Sequence, residues 1–254
     1  LFRPSGNPIL DLKGPSHLDS TAQRQQLDLL AKLNEKHLNE RLGGKELAAR
    51  INSYELAYRM QSETPEAVDF SKESQATLKM YGVGQKPTDE YGRNCLIARR
   101  LVERGVRFIQ LYSGGGHLED TWDGHESIEK NHGLHGKEVD QPIAALLTDL
   151  EQRGMLESTL VVWGGEFGRM PFSEGKNALG RNHNPYGFSM WMAGGGVNGG
   201  SNYGETDEFG FEAVINKAHV HDIHATLLHL MGINQEALSY FHHGRKETLT
   251  DVHV

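Results

Sequence analysis

The chain has 254 residues, of which 24% are charged and 37% are hydrophobic, and this composition is typical of a soluble globular protein with one large α/β domain or two small ones. Its formal net charge of −8 argues against a nucleic-acid backbone as the main partner, although local arginines could still bind an anion. Its one cysteine excludes an internal disulfide. The sequence contains no apolar run of about 18 residues, the length that would predict a membrane span.

The first half of the chain is predicted to be helical after an irregular arm at residues 1–19, which contains three prolines and two glycines. Thr64 and Pro65 are expected to close the second helix, and Gly105 the fourth. Cys95 lies in the apolar stripe of the fourth helix, so we interpret it as a buried structural thiol. Apolar residues at helical spacing place the four helices at about residues 20–42, 45–61, 71–80 and 90–104.

Three apolar, β-rich runs follow, and each breaks into a glycine-rich loop, at residues 106–112, 160–163 and 188–193. A predicted helix at residues 139–153 separates the first two runs, and another helix begins near Asp222. This order predicts crossover connections and an α/β fold, with a mainly parallel sheet covered by helices on both faces. Because the carboxyl ends of parallel strands meet at one edge of a sheet, we expect the three loops to converge on a cleft.

These loops carry side chains that ligate metal ions. Asp123 and His125 follow the first run, with Asp120 as the alternative to Asp123; Glu166 follows the second run, and His183 lies in a turn before the third. Carboxylate and imidazole groups are good ligands for zinc, manganese and similar ions. We therefore predict that Asp123, His125, Glu166 and His183 cluster as metal ligands. The alternatives are a polar surface loop around Asp123 and a salt-bridged turn at Glu166.

Two arginines in the same loops are the candidate catalytic residues. A guanidinium can hold two oxygens of an oxyanion, and Arg169 and Arg181 are placed to do so. Other histidines are interpreted as structural. His132 and His135 are assigned to a polar surface loop, and the histidines of residues 219–229 surround a helix that Asp222 is expected to cap.

Long motifs of the chain include LESTLVVWGGEFGRMP, GRNHNPYGFSMWMAGGGVNGG and HDIHATLLHLMGI. They closely resemble a bacterial family of sulfatase-like proteins of unknown function in the alkaline phosphatase superfamily. The resemblance spans almost the whole chain and implies an alkaline phosphatase-like fold. The Asp-His metal pair of the superfamily falls on Glu166 and Phe167, so one ligand is kept and one is lost. The other metal site of the superfamily matches Asp123, His125 and His183.

The resemblance also implies a location and a missing part. Related chains carry an export signal, so a periplasmic or otherwise exported protein is expected. Their nucleophile and a further metal-binding Asp lie in an amino-terminal half. Residues 20–254 are therefore expected to be the carboxy-terminal part of such a domain, with the nucleophile in a half that precedes Leu1.

The first functional hypothesis is a metal-dependent hydrolase that acts on a small or polymeric sulfate or phosphate ester. The resemblance implies a divalent metal, zinc, manganese, calcium or magnesium, in one site or two. Asp123, His125 and His183 would hold one ion, and Glu166 would help to hold a second. Arg169 or Arg181 would neutralise the charge of the transition state.

Two other hypotheses remain open. One is a non-catalytic relative that binds an anionic glycan or a protein partner, because the loss of histidine at Phe167 leaves one metal or none. The other is a structural domain whose histidines only solvate loops. This last hypothesis predicts that the four candidate ligands lie far apart.

Overall fold

The computed structural model describes residue 17 and residues 19–39, 45–114, 121–173 and 179–250. It divides the chain into two compact units, Leu1–Leu111 and Tyr112–Val254. Most of the predicted arm at residues 1–19 lies outside the described residues, and so does Asp120.

The described part of the first unit is helical, as predicted. Arg24 on the first helix donates hydrogen bonds to both carboxylate oxygens of Glu55 on the second, each at 3.1 Å. The first helix begins at Ser20, where the sequence placed it, and Asp19 caps it, since its Oδ1 accepts from the amide of Ala22 at 2.7 Å. The four helices are α1 Ser20–Asn39, α2 Lys45–Val68, α3 Gln75–Met80 and α4 Asp89–Glu103.

Helix α2 continues beyond the point at which the sequence predicted its end. Pro65 lies inside the helix, which ends at Val68. The carbonyl oxygens of Glu66 and Ala67 accept hydrogen bonds from the guanidinium of Arg100, at 2.6 and 2.8 Å. The last turn of a helix leaves such carbonyls without an intrahelical partner. A tertiary contact from α4 therefore stabilises this turn.

The buried face of α4 contains Cys95, whose relative accessibility is 0%, and this confirms the interpretation of a structural thiol. Burial raises the pKa of Cys95 to about 12. The thiolate is the nucleophile, so we expect native protein at about pH 8 to react negligibly with Ellman's reagent and to react fully once denatured. A Ser201→Cys variant, with an exposed thiol, is the control and should react at once. Rapid labelling of the native wild-type protein would contradict the burial.

The described part of the second unit combines two α-helices, a single-turn 3₁₀ helix and eight short strands. The helices are α5 Ile128–Gln152, the 3₁₀ helix Leu156–Ser158 and α6 Val220–Leu230. The strands are β1 Val161–Trp163, β2 Gly168–Arg169, β3 His183–Asn184, β4 Trp191–Ala193, β5 Glu205–Thr206, β6 Ala213–Ile215, β7 Tyr240–His242 and β8 Arg245–Glu247.

The prediction of a mainly parallel α/β sheet is wrong. Within the described residues, the strands pair two by two into the antiparallel ladders β1–β4, β2–β3, β5–β6 and β7–β8. The second and third apolar runs do contain strands, β1 and β4, but they pair with Val161 opposite Ala193 and Trp163 opposite Trp191. The only parallel pairing among these residues is an isolated bridge between Ser127 and Leu179.

Two physical reasons account for the difference. Residues 106–112, predicted as the first strand, form no strand; Phe108 is 75% exposed and Tyr112 is 67% exposed, so this run is not the buried centre of a sheet. An apolar run also carries no information on the direction of its partner. Because β1 and β4 are antiparallel, the loops that follow them leave from opposite ends of the ladder. They cannot converge on one sheet edge.

Helix α5 is longer than predicted. It begins at Ile128 rather than near residue 139, so His132 and His135 lie in a helix and not in a polar loop. His135 is 4% exposed, and its Nδ1 lies 2.8 Å from Oε2 of Glu138.

Among the described helices, none is both long and apolar enough to cross a lipid bilayer.

Candidate metal centre

Three segments of the second unit build the site. They are the loop of residues 122–127 before α5, strand β2, and residues 179–184, which end in strand β3. In the β2–β3 ladder Arg169 lies directly opposite His183, so both side chains project from the same face. The loop before α5 is bonded to the third segment, because the amide of Arg181 donates to the carbonyl of Gly124 at 3.1 Å.

Gly180 allows the closest of these approaches. It is buried, and a Cβ atom added to it would lie 1.8 Å from the carbonyl oxygen of His125 and 2.7 Å from the amide nitrogen of Glu126. Both atoms belong to the backbone and cannot move aside cheaply. Only glycine therefore lets the two segments meet here, and this meeting positions His125.

Asp123, His125 and His183 converge at this junction. Oδ1 of Asp123 lies 2.9 Å from Nε2 of His183 and 3.0 Å from Nε2 of His125, and the two imidazole nitrogens are 3.1 Å apart. Among the described residues, these three form the one group of histidine, cysteine and acidic side chains whose geometry could hold a metal ion. We call this group the triad. The short distances between these three side chains contradict the structural-domain hypothesis, which predicted that the candidate ligands lie far apart.

Glu166, the fourth predicted ligand, is exposed and is not part of the triad.

The histidines of residues 219–229 form no comparable group among the described residues. One of them has a structural role instead. The ring of His219 accepts from the amide of His221, and Asp222 accepts from the amide of His219, so the pair caps α6.

Both candidate catalytic arginines lie in the segments that build the site, and both donate hydrogen bonds there. Arg169 Nη2 donates to Oδ1 of Asp123 at 2.7 Å and to the carbonyl of Trp122 at 3.1 Å, and its Nη1 donates to the carbonyl of Arg181 at 3.2 Å. Arg181 Nη1 donates to the carbonyls of Leu179 and Gly180, at 3.3 and 2.8 Å. Arg169 thus ties the loop before α5 to the segment that carries His183.

The electrostatics of the triad favour a ligating carboxylate. The hydrogen bond with His183, followed by that from Arg169, lowers the pKa of Asp123 to about 2, against a smaller opposing effect of burial. Asp123 is therefore ionised across the physiological pH range. Metal ligands must be deprotonated, so this carboxylate requires no proton release before it coordinates an ion.

Phe167 is a residue whose role the sequence did not reveal. Its ring packs on the imidazole of His183, with ring centroids 4.0 Å apart and an interplanar angle of 29°. The sequence placed Phe167 where a ligand had been lost. The structure shows that it packs on a candidate ligand from the neighbouring strand, a relation between two segments that no signal in the sequence indicated.

A family comparison defines the relationship of the chain. The model of the family described as "Protein of unknown function (DUF1501)" matches residues 1–254. The chain belongs to the DUF1501 family. No curated protein and no solved structure matches it.

This result corrects the resemblance drawn from the sequence. The family is DUF1501, and no match to sulfatases or alkaline phosphatases accompanies it. The expectations of an alkaline phosphatase-like fold and of an exported location rested on that resemblance and lose their basis with it. The triad and its surroundings are the features of this DUF1501 protein that bear on its function.

Proposed function

We propose that this chain binds one divalent ion at Asp123, His125 and His183 and uses it to hydrolyse phosphate or sulfate esters. The observation that carries the proposal is the convergence of three ligand atoms 2.9–3.1 Å apart. Two imidazoles and one carboxylate leave part of the coordination sphere for water and substrate. Catalytic sites have such an open sphere, whereas structural zinc sites are closed by four protein ligands.

The spacing of the ligand atoms supports a particular geometry. With metal–ligand distances of about 2.1 Å, neighbouring ligands lie about 3.0 Å apart around an octahedral ion and about 3.4 Å apart around a tetrahedral one. The triad spacing matches one face of an octahedron. Three positions on the opposite face would remain for water and two substrate oxygens.

The chemistry of the donor atoms narrows the choice of metal ion. Calcium and magnesium prefer oxygen ligands, whereas imidazole suits zinc and the first-row transition metals. Of the four ions expected from the sequence, zinc and manganese fit the triad better than calcium and magnesium. Because Glu166 lies outside the triad, we propose one ion rather than two.

The charges around the triad suit an anionic ester. A divalent ion here would supply Lewis-acid polarisation of an ester oxygen. Arg169 holds Asp123 in place and brings a positive charge next to the triad, and Arg181 lies in the adjoining turn. Cations placed where negative charge develops lower the barrier of phosphoryl and sulfuryl transfer.

Metal content tests the site directly. The full chain is stripped with a chelator, reloaded separately with zinc and manganese, desalted and measured by elemental mass spectrometry. We expect about one equivalent in the wild type and an affinity at least about a hundredfold lower in His183→Ala. His229→Ala, which removes an exposed histidine of α6, is the matched control and should keep its ion. Equal metal content in all three proteins, or none in the wild type, would refute the site.

Turnover separates the hydrolase from the non-catalytic alternative. The loaded protein is assayed with p-nitrophenyl phosphate, bis(p-nitrophenyl) phosphate and p-nitrophenyl sulfate. Metal-dependent release of nitrophenol that disappears in His183→Ala would support the hydrolase. A protein that holds its ion and releases nothing from any of the three esters would support a binding protein for an anionic glycan or a protein partner.

A further inference from the structure

All three tryptophans of the chain line one cleft of about 510 Å³ in the second unit. Trp163 comes from β1, Trp191 from β4, and Trp122 from the loop before α5. Ligand clefts in proteins span about 300–1,000 Å³ and combine aromatic walls with a few polar groups. None of the triad residues lines this cleft, so the cleft is a candidate binding site in its own right.

One wall of the cleft is a flat aromatic surface. Trp163 and Trp191 are directly opposite each other in the β1–β4 ladder, so their side chains project from the same face. Their rings are nearly parallel, with an interplanar angle of 7° and centroids 6.3 Å apart. Trp163 remains 38% exposed and Trp191 is half-buried, although indoles normally bury most of their surface.

Helix α5 supplies the polar groups. Lys137 and Asp140 lie one helical turn apart, line the cleft, and are both exposed. His132 also lines the cleft, and its ring meets that of Trp122 edge-on at 5.4 Å. A donor, an acceptor and an imidazole therefore face the same cleft as the indole rings.

We infer that the cleft binds a pyranose ring of a carbohydrate. A pyranose has apolar C–H faces that pack on indole rings, and an edge of hydroxyl groups that both donate and accept hydrogen bonds. A quaternary ammonium ion, the other ligand typical of aromatic cages, could pair with Asp140 but would leave Lys137 without a role in binding. A purely apolar ligand would make no hydrogen bond with Lys137 or Asp140.

The loop before α5 contributes residues both to the cleft and to the candidate metal centre. Trp122 directly precedes Asp123, and its carbonyl accepts the hydrogen bond from Arg169. A sugar that extended from the cleft along this loop could carry the ester group that the ion activates. This last step rests on the proposed function, whereas sugar binding itself does not.

Tryptophan fluorescence, excited selectively over the tyrosines, reports on the cleft, because all three tryptophans line it. The full chain is screened on an array of neutral, carboxylated and sulfated oligosaccharides, and the strongest binder is titrated by fluorescence and calorimetry. Tetramethylammonium and adenosine are the alternative probes. We expect a sugar to bind with Kd below about 1 mM and to change the fluorescence. Binding of either alternative probe without any sugar, or no sugar binding in this range, would overturn the inference.

Variants locate the binding. Trp191→Ala and Lys137→Ala should each weaken sugar binding about tenfold, and Trp191→Phe should weaken it less. Tyr203→Ala removes an exposed aromatic residue outside the cleft and should bind as the wild type does. If Trp191→Ala does not fold, Lys137→Ala decides, since its side chain is exposed. If His183→Ala loses the metal but still binds the sugar, the cleft binds sugar independently of the triad. If Lys137→Ala and Trp191→Phe both keep the wild-type affinity for the sugar, the sugar binds outside the cleft and the inference is overturned.

Discussion

Replacing Glu73 with alanine is expected to lower the free energy of unfolding of the first unit by about 3–5 kcal/mol. Oε1 of Glu73 accepts from Arg99 at 2.8 Å and also from Arg100. The side chains of Glu73, Arg99 and Arg100 are 8%, 2% and 7% exposed. Without the carboxylate, two buried guanidinium groups lose their shared counter-charge, although Arg99 keeps Glu103, at 2.7 Å.

Urea unfolding followed by far-ultraviolet circular dichroism measures this effect. Glu35→Ala, which removes an exposed acid of α1, is the control and should change stability by no more than about 0.5 kcal/mol. A Glu73→Ala protein with an unchanged urea midpoint would contradict the buried ion-pair network.

The same pair of proteins should differ in pH dependence. Burial opposes ionisation of Glu73, but hydrogen bonds from Arg100 and Arg99 outweigh it, so the pKa of Glu73 lies below its ordinary value. A depressed pKa contributes stability that is fully present above the unfolded-state value of about 4.3 and is lost as the pH falls through the folded-state pKa. The stability difference between wild type and Glu73→Ala should therefore shrink below about pH 4.

Gly180→Ala is expected to abolish metal binding although no ligand is changed. The new methyl group would overlap the backbone of His125, so the loop before α5 would be displaced and the triad would open. Overpacking of this kind costs about 1–3 kcal/mol or more, so a lower melting temperature should accompany the loss.

Gly199→Ala is the matched control, since a Cβ atom there meets no atom within 4 Å. Both variants are measured by elemental mass spectrometry after reloading and by thermal unfolding. Wild-type metal content in Gly180→Ala would show that the two segments do not approach as closely as the structure places them. Loss of metal in both glycine variants would indicate a general effect rather than displacement of His125.

The helices of the first unit were predictable, because apolar spacing and capping residues act within a few neighbours along the chain. The exception shows the limit. Pro65 was expected to end α2, and the helix continues because Arg100, which is distant in sequence, binds its last carbonyls. In the second unit the runs that contain β1 and β4 were also recognised, but the direction of their pairing was not.

Three of the four ligands predicted from residue type and loop position converge in the structure. Phe167 and Gly180 could not be recognised in the same way. Packing on His183 and close approach to His125 are relations between segments, and neither residue type suggests a metal site by itself. The sulfatase-like resemblance supplied a fold, and the family match and the structure corrected that expectation.

The sequence by itself determined the presence of the helices of the first unit, the buried thiol of Cys95 and the donors available to a metal ion, because each depends on residue type and near neighbours. The tertiary structure alone decided which donors meet. Asp123 and His183 are 60 positions apart, and they converge because an antiparallel β2–β3 ladder and the close approach at Gly180 bring their segments together. Strand direction and backbone clearance are properties of segment pairs, and no single stretch of sequence encodes them.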